Sequence, residues 1–76
     1  MHDQSRELDC RGLKCPMPIV KIAQEAKSLS PGELMRVVAS DPAFKADIHA
    51  WVKVTGNELV SFDAGATGQV AVVRKK

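Results

Sequence analysis

Two amphipathic segments, framed by short apolar runs, constrain the fold of this 76-residue chain most strongly. The first segment repeats apolar residues at helical spacing: Ile19, Ile22, Ala23, Ala26 and Leu29. The second has them at i, i+4, i+7 and i+8: Phe44, Ile48, Trp51 and Val52. Because each pattern leaves one face apolar and the other polar, each predicts a helix with one side packed against another layer.

Proline and glycine indicate where these helices begin and end. The first helix is predicted to begin near Pro16 and to stop at "SPG", residues 30–32. Asp41 is a predicted N-cap for the second helix, with Pro42 at the first helical position. Gly56 is predicted to end that helix as a left-handed cap.

Four segments resemble strands: "RELDC" (6–10), "ELMRVVA" (33–39), "ELVSF" (58–62) and "QVAVVR" (69–74), the last two joined by a turn around "DAGATG". The order β-α-β-α-β-β predicts an α+β fold, a two-layer α/β sandwich. Both helices then pack on one face of a four-stranded mixed sheet. The helical crossovers favour parallel neighbours, and the last connection favours a hairpin. Residues 1–76 are predicted to form a single domain.

Composition argues against several classes of function. A net charge of +2 and a pI of 8.7 are weak for a nucleic-acid-binding domain. The longest apolar run, "VAVV", is far shorter than the ~20 residues that span a bilayer. The polar start "MHDQSRELD" does not resemble a signal peptide. We therefore expect a cytoplasmic monomer that neither enters a membrane nor binds nucleic acid stably.

The two cysteines, Cys10 and Cys15, are predicted to be free thiols. Their spacing is not C-x-x-C, and a single pair supplies half of a tetrahedral zinc site, so no metal is expected. Cys10 closes a predicted strand beside Leu8, which favours a packed thiol. A reversible disulfide between the two cysteines stays open as an alternative.

Cys15 stands in "GLKCPMP", residues 12–18, at the start of the first predicted helix. The helix dipole, Arg11 and Lys14 are predicted to lower its pKa and favour the thiolate. Pro16 and Pro18 stiffen the first turn, which leaves the Met17 N–H as the expected backbone donor to the sulfur. Cys15 is therefore the predicted nucleophile, and a site able to hold an added sulfur as a persulfide.

Two further residues have unremarkable interpretations. His49 is predicted to lie on the solvent side of its helix, with no partner carboxylate at catalytic spacing. Trp51 lies on the apolar stripe and is predicted to be in the core.

The chain resembles the TusA/SirA-like sulfurtransferases through "LDCRGLKCPMPIVK", "SPGELMRVVASDPAF", "DIHAW" and "TGNELVS", over about Leu8 to Arg74. Its C-P-x-P element is Cys15-Pro16-Met17-Pro18. The resemblance implies the fold described above and a persulfide on Cys15 that passes between proteins in tRNA thiolation, cofactor assembly or sulfur oxidation. Two positions depart from the family pattern. Relatives often have cysteine at the position of Val52, and proline is common at the position of His49.

The leading hypothesis is a sulfur-relay protein without a cofactor. Cys15 takes sulfur from a protein donor of the rhodanese or cysteine desulfurase type and passes it to an acceptor protein. The supporting residues are Arg11, Gly12, Lys14, Pro16, Met17 and Pro18, with Cys10 as a candidate second thiol. The alternative is a regulatory module that binds a protein, or weakly a nucleic acid, through a basic patch at Arg11 and Lys14.

Overall fold

The structure, a computed structural model, describes residues 6–65 and 68–76. Its elements are β1 (Arg6–Cys10), α1 (Met17–Ala26), β2 (Leu34–Ala39), α2 (Phe44–Thr55), β3 (Glu58–Gly65) and β4 (Gly68–Arg74). This order and the four-stranded sheet confirm the predicted α+β fold, with two helices packed against a mixed sheet. Within the described residues, no helix combines the length and apolar character needed to cross a bilayer.

The strands lie in the order β1-β2-β4-β3. β1 and β2 are parallel, and β3 pairs antiparallel with β4, as predicted. The expected pairing across the second crossover is wrong, because β4 lies between β2 and β3 and is antiparallel to both. The apolar strand β4 thus takes a central place with both edges hydrogen-bonded, while β3, which has a register shift between Leu59 and Ser61, forms an edge.

The core lies between the sheet and the helices. Strand β2 turns alternate residues toward the helices, and Met35, Val37 and Ala39 are all fully buried. The sequence did not show which face of this strand is buried, because both faces are apolar. The helices contribute the completely buried side chains of Ile22, Phe44 and Ile48. Burying each such aliphatic or aromatic side chain contributes about 1.5–3 kcal/mol to stability. This continuous layer holds α1 and α2 side by side.

Two helix boundaries differ from the predictions. α1 ends at Ala26, before the "SPG" segment, with Lys27 as its C-cap. α2 begins at Phe44 with Ala43 as its N-cap, so the predictions that Asp41 caps this helix and that Pro42 is its first residue are both wrong. Gly56 is the left-handed C-cap, as predicted, with φ of 81° and its N–H bonded to the Val52 carbonyl at 2.9 Å.

The predicted "DAGATG" turn falls partly outside the described residues, since residues 66–67 are not described. The flanking strands extend further into this segment than predicted, to Gly65 and from Gly68.

Candidate functional site

The loop from β1 to α1 carries most of the predicted site residues. Because β1 and β2 are parallel, their carboxyl ends meet at the same edge of the sheet, which brings Ser40 and Asp41 beside this loop. Gly12 turns the chain with φ of 85°, a left-handed conformation that favours glycine. Its N–H donates to the Ser40 hydroxyl at 2.9 Å. The turn is therefore tied to the neighbouring strand end.

Cys15 is exposed and lies two residues before α1, beside the N-cap Pro16. The backbone N–H of Cys15 donates to Oδ2 of Asp41 at 2.8 Å. The Cys15–Pro16 peptide bond is cis. An exposed thiol at the tip of the opening helix agrees with the position expected from the sequence.

The helix start offers the sulfur little backbone support. Pro16 and Pro18 have no N–H to donate. The Met17 N–H, expected as the donor to the sulfur, instead donates to the Lys14 carbonyl at 2.8 Å, so that prediction is wrong. The positive end of the helix dipole acts largely through such free N–H groups, so its effect on the thiol is weak here.

Arg11, which was expected to add positive charge near the sulfur, pairs with an acidic neighbour instead. Its guanidinium donates two hydrogen bonds to the carboxylate of Asp9, both at 2.9 Å. These bonds hold the pKa of Asp9 at about 2. The neighbouring Lys14 is exposed. Arg11 is thus paired with Asp9. Of the two residues of the predicted basic patch, Lys14 is the one that this pair does not include.

The groups that act on the Cys15 thiol are acidic. Hydrogen bonding to the Asp47 carboxylate, followed by partial desolvation and the negative charges of Asp47 and Asp41, raises the pKa of Cys15 above its ordinary value. The predicted lowering of this pKa is therefore wrong. In the free protein Cys15 is mainly a neutral thiol near neutral pH, since an ordinary thiol pKa is already about 8.5.

Cys15 and Asp47 line the same open groove between α1 and α2. Apart from Asp47, the residues around Cys15 in this groove are apolar: Pro16, Ile19, Ala50, Trp51 and Val54. Sequence reasoning missed Asp47. The signal was present, because Asp47, Ala50, Trp51 and Val54 follow one another at i, i+3, i+4 and i+7, the spacing of one helix face.

The remaining candidates lie away from the groove or at its margin. Cys10 is fully buried, and burial raises its pKa, as expected for a packed thiol. His49 is exposed, as predicted, with Nδ1 at 2.7 Å from the Lys45 carbonyl. Trp51, expected in the core, is half-buried and packs against the edge of the core while lining the groove. No three potential metal ligands cluster among the described residues.

Comparison with known families matches residues 6–76 to the model of the family described as "Sulfurtransferase TusA". The "Sulfur carrier protein TusA" of Allochromatium vinosum is 42% identical over 60 residues, which are 79% of each chain. Its namesake in Pseudomonas aeruginosa is 35% identical over 75 residues, 99% of this chain and 95% of that protein.

Other relatives are longer than this chain. A relative in Aquifex aeolicus is 32% identical over 72 residues, 95% of this chain but 36% of that protein. The matched segment also spans 31% of YrkF of Bacillus subtilis, at 46% identity over 57 residues, or 75% of this chain. The chain therefore spans about a third of the length of these two relatives. The family match over nearly all its residues shows that this chain belongs to the TusA sulfurtransferase family.

Proposed function

We propose that this protein carries sulfane sulfur as a persulfide on Cys15, taking it from one protein and passing it to another. The observation that carries the proposal is the exposed, free Cys15 thiol at the open groove, on a loop tied to the fold through Asp41. Family membership and relatives named sulfur carrier proteins support the same role. Residues 1–76 are proposed to act as a single carrier domain.

The chemistry is an exchange between sulfur atoms and needs no cofactor. The Cys15 thiol loses its proton to solvent, and the thiolate attacks the outer sulfur of the donor's persulfide. The donor's sulfur–sulfur bond breaks, the donor cysteine leaves as a thiolate, and Cys15 becomes Cys15–S–SH. An acceptor thiolate then attacks the outer sulfur, and Cys15 leaves. The number of sulfur–sulfur bonds is unchanged at each step, so no oxidant is required.

The loop residues are proposed to present the sulfur to partners. Gly12 and Asp41 hold the loop against the end of β2, and Pro16 and Pro18 restrict the turn that follows. Met17 and Val20 are large apolar residues that remain 46% and 39% exposed on α1. Exposed apolar residues next to a reactive group are suited to transient contact with a protein surface.

The partners are proposed to be a donor of the rhodanese or cysteine desulfurase type and a thiol-bearing acceptor. The relay is expected to feed tRNA thiolation, cofactor assembly or sulfur oxidation. We propose that the protein acts as a monomer in the cytoplasm. The cytoplasm is favoured because a reducing compartment keeps free thiols such as Cys10 and Cys15 reduced.

The alternatives drawn from the sequence receive less support. A basic docking patch needs a free Arg11, but this side chain is paired with Asp9. A disulfide switch needs an accessible Cys10, but this residue is fully buried. Both observations favour the carrier role over a binding module or a switch.

The test is intact-protein mass spectrometry after incubation with a persulfidated rhodanese-type donor. Wild-type protein is expected to gain one sulfur atom, which maps to Cys15 after digestion. Cys15→Ser should gain none, and Cys10→Ala should load as wild type does. Sulfur that maps to Cys10, or an unmodified wild-type protein, would reject the proposal.

A further inference from the structure

The groove beside Cys15 has apolar walls and one acidic lining residue, Asp47. Along α2 the groove face presents Asp47, Ala50, Trp51 and Val54, and α1 contributes Ile19 opposite them. Val54 is 84% exposed and therefore adds accessible apolar surface to the groove. The carboxylate of Asp47 is thus the charged group on an otherwise apolar surface that begins at the reactive sulfur.

The charged groups that act on the sulfur come from two segments. α2 supplies Asp47 and the loop before it supplies Asp41, while Lys14, the chain neighbour of Cys15, is exposed. Asp41 already accepts the Cys15 N–H, and Arg11 is held by Asp9. Within the described part of the chain, Asp47 therefore remains as the acid that lines the groove together with the thiol.

We propose that the partner segment filling the groove carries a cationic side chain that pairs with Asp47, and that this pairing releases the neighbouring Cys15 thiol for reaction. Apolar side chains of the same segment would cover Ile19, Trp51 and Val54. This inference rests on the proposed carrier function and specifies the partner's chemistry: an apolar segment with a basic residue, not the acidic surface that Arg11 and Lys14 would attract.

The release step follows from charge balance. In the free protein the negative charge of Asp47, which lines the same groove as Cys15, opposes a second negative charge on sulfur. When a cation pairs with Asp47, that opposition is removed and the thiol proton passes to water. The thiolate then attacks the partner's outer sulfur. Asp47 is in this account a positioning residue, which acts through Cys15.

The first experiment measures the rate of Cys15 alkylation by iodoacetamide as a function of pH, for wild type and Asp47→Asn. Asp47→Asn is expected to shift the profile to lower pH and to raise the rate near neutrality. For each tenfold gain in thiolate, the rate should rise about threefold, because nucleophilicity falls as basicity falls. A slower variant would instead mean that Asp47 removes the thiol proton as a base, and it would overturn the proposal, as would an unchanged profile.

Two control variants accompany this measurement. Asp63→Asn makes the same charge change on the sheet face away from the helices, where Asp63 pairs with Val70 of β4, and should leave the profile as in wild type. Asp47→Glu retains the charge and should retain most of the wild-type profile. A shift in Asp63→Asn equal to that in Asp47→Asn would mean that net charge, rather than the groove carboxylate, controls the thiol, and would contradict the proposal.

The second experiment needs no variant and therefore does not depend on the folding of Asp47→Asn. Cys15 of the wild-type protein reacts with small disulfides of similar size that are cationic (cystamine), neutral (hydroxyethyl disulfide) or anionic (dithiodiglycolate). The ratio of the cationic rate to the neutral rate is expected to exceed the same ratio for free N-acetylcysteine by roughly fivefold, the scale of one charge pair at about 4 Å in water. A ratio no greater than that of the free thiol would reject a cationic partner segment.

These outcomes are separable from those of the carrier proposal. If the protein loads sulfur on Cys15 but its alkylation profile does not depend on Asp47, the carrier role is retained and the proposed role of Asp47 is rejected. If Asp47→Asn shifts the pH profile and the cationic disulfide is preferred, but the protein never loads sulfur, then Asp47 controls the thiol and the carrier role is rejected.

Discussion

The backbone N–H of Cys15 donates to Oδ2 of Asp41 across 2.8 Å, and this bond joins the loop before α1 to the loop before α2. The carboxylate that the sequence suggested as a helix cap instead holds the loop that carries Cys15. The Asp41 backbone is engaged as well, since its carbonyl accepts from the Gln69 side chain at 2.7 Å. The position of the sulfur therefore depends on a residue 26 positions away in the chain.

Replacing Asp41 with Ala is expected to loosen the loop. The variant loses a hydrogen bond to a charged acceptor at a half-buried site, which should lower the free energy of unfolding by about 1–2 kcal/mol. Hydrogen exchange at the Cys15 amide should become faster, as NMR can measure. Asp63→Ala, at an exposed strand position, is the matched control and should change neither quantity. Unaltered exchange at Cys15 in Asp41→Ala would show that the loop is held by other contacts.

Replacing Gly12 with Ala is expected to cost about 1 kcal/mol in unfolding free energy, because a residue with a Cβ is strained at φ of 85°. No atom lies within 4 Å of the added Cβ, so the cost is conformational and the fold should be retained. Denaturant unfolding measures the change. Gly65→Ala provides the comparison, since its added Cβ meets only ordinary contact and its φ is not left-handed. Equal stabilities of the two variants would contradict this explanation of Gly12.

Shortening Ile48 to Val tests the layer that supports α2. Ile48 is fully buried, and removing one methyl group there should cost about 0.5–1.5 kcal/mol. Val54→Ala, on the same helix at an 84% exposed position, should stay within about 0.5 kcal/mol of wild type. Chemical denaturation of the two variants gives the comparison. A larger loss in Val54→Ala than in Ile48→Val would mean that the groove, rather than the sheet side, stabilises the helix.

The buried Cys10 predicts a loss of stability at alkaline pH. Its folded-state pKa is raised by burial, so above the unfolded value of about 8.5 the unfolded chain releases a proton that the folded protein keeps. The contribution is fully present below that pH, and it is lost progressively as pH rises toward the folded pKa. In a Cys15→Ser background, Cys10→Ala should flatten this decline in unfolding free energy. Parallel declines in both proteins would assign the effect to other groups.

Much of the fold was predictable because the spacing of apolar residues and the positions of proline and glycine indicate the same helices and strands. The stripe of Phe44 and Ile48 identified α2, and Gly56 ended it as expected. The insertion of β4 beside β2 was not predictable, since "ELMRVVA" and "QVAVVR" are apolar on both faces and only tertiary packing selects their neighbours.

The site was predictable in position but not in electrostatics. The turn residue Gly12 and the helix-start prolines correctly placed an exposed Cys15. Its pKa was wrongly predicted because local sequence shows Arg11 and Lys14, whereas the contacts that decide the pKa are long-range. Asp47, on α2, lines the same groove as Cys15, and Arg11 pairs with Asp9.

Release of sulfur is the most direct test that Cys15 is a carrier, since a dead-end modification would also load. Persulfidated protein carrying a heavy sulfur isotope is separated from its donor and mixed with a thiol-bearing acceptor protein, and the label is followed by mass spectrometry. The account predicts that the labelled sulfur leaves Cys15 and appears on the acceptor in equal amount, with none on Cys10. Label that stays on Cys15, or reaches the acceptor equally well from a Cys15→Ser protein, would contradict it.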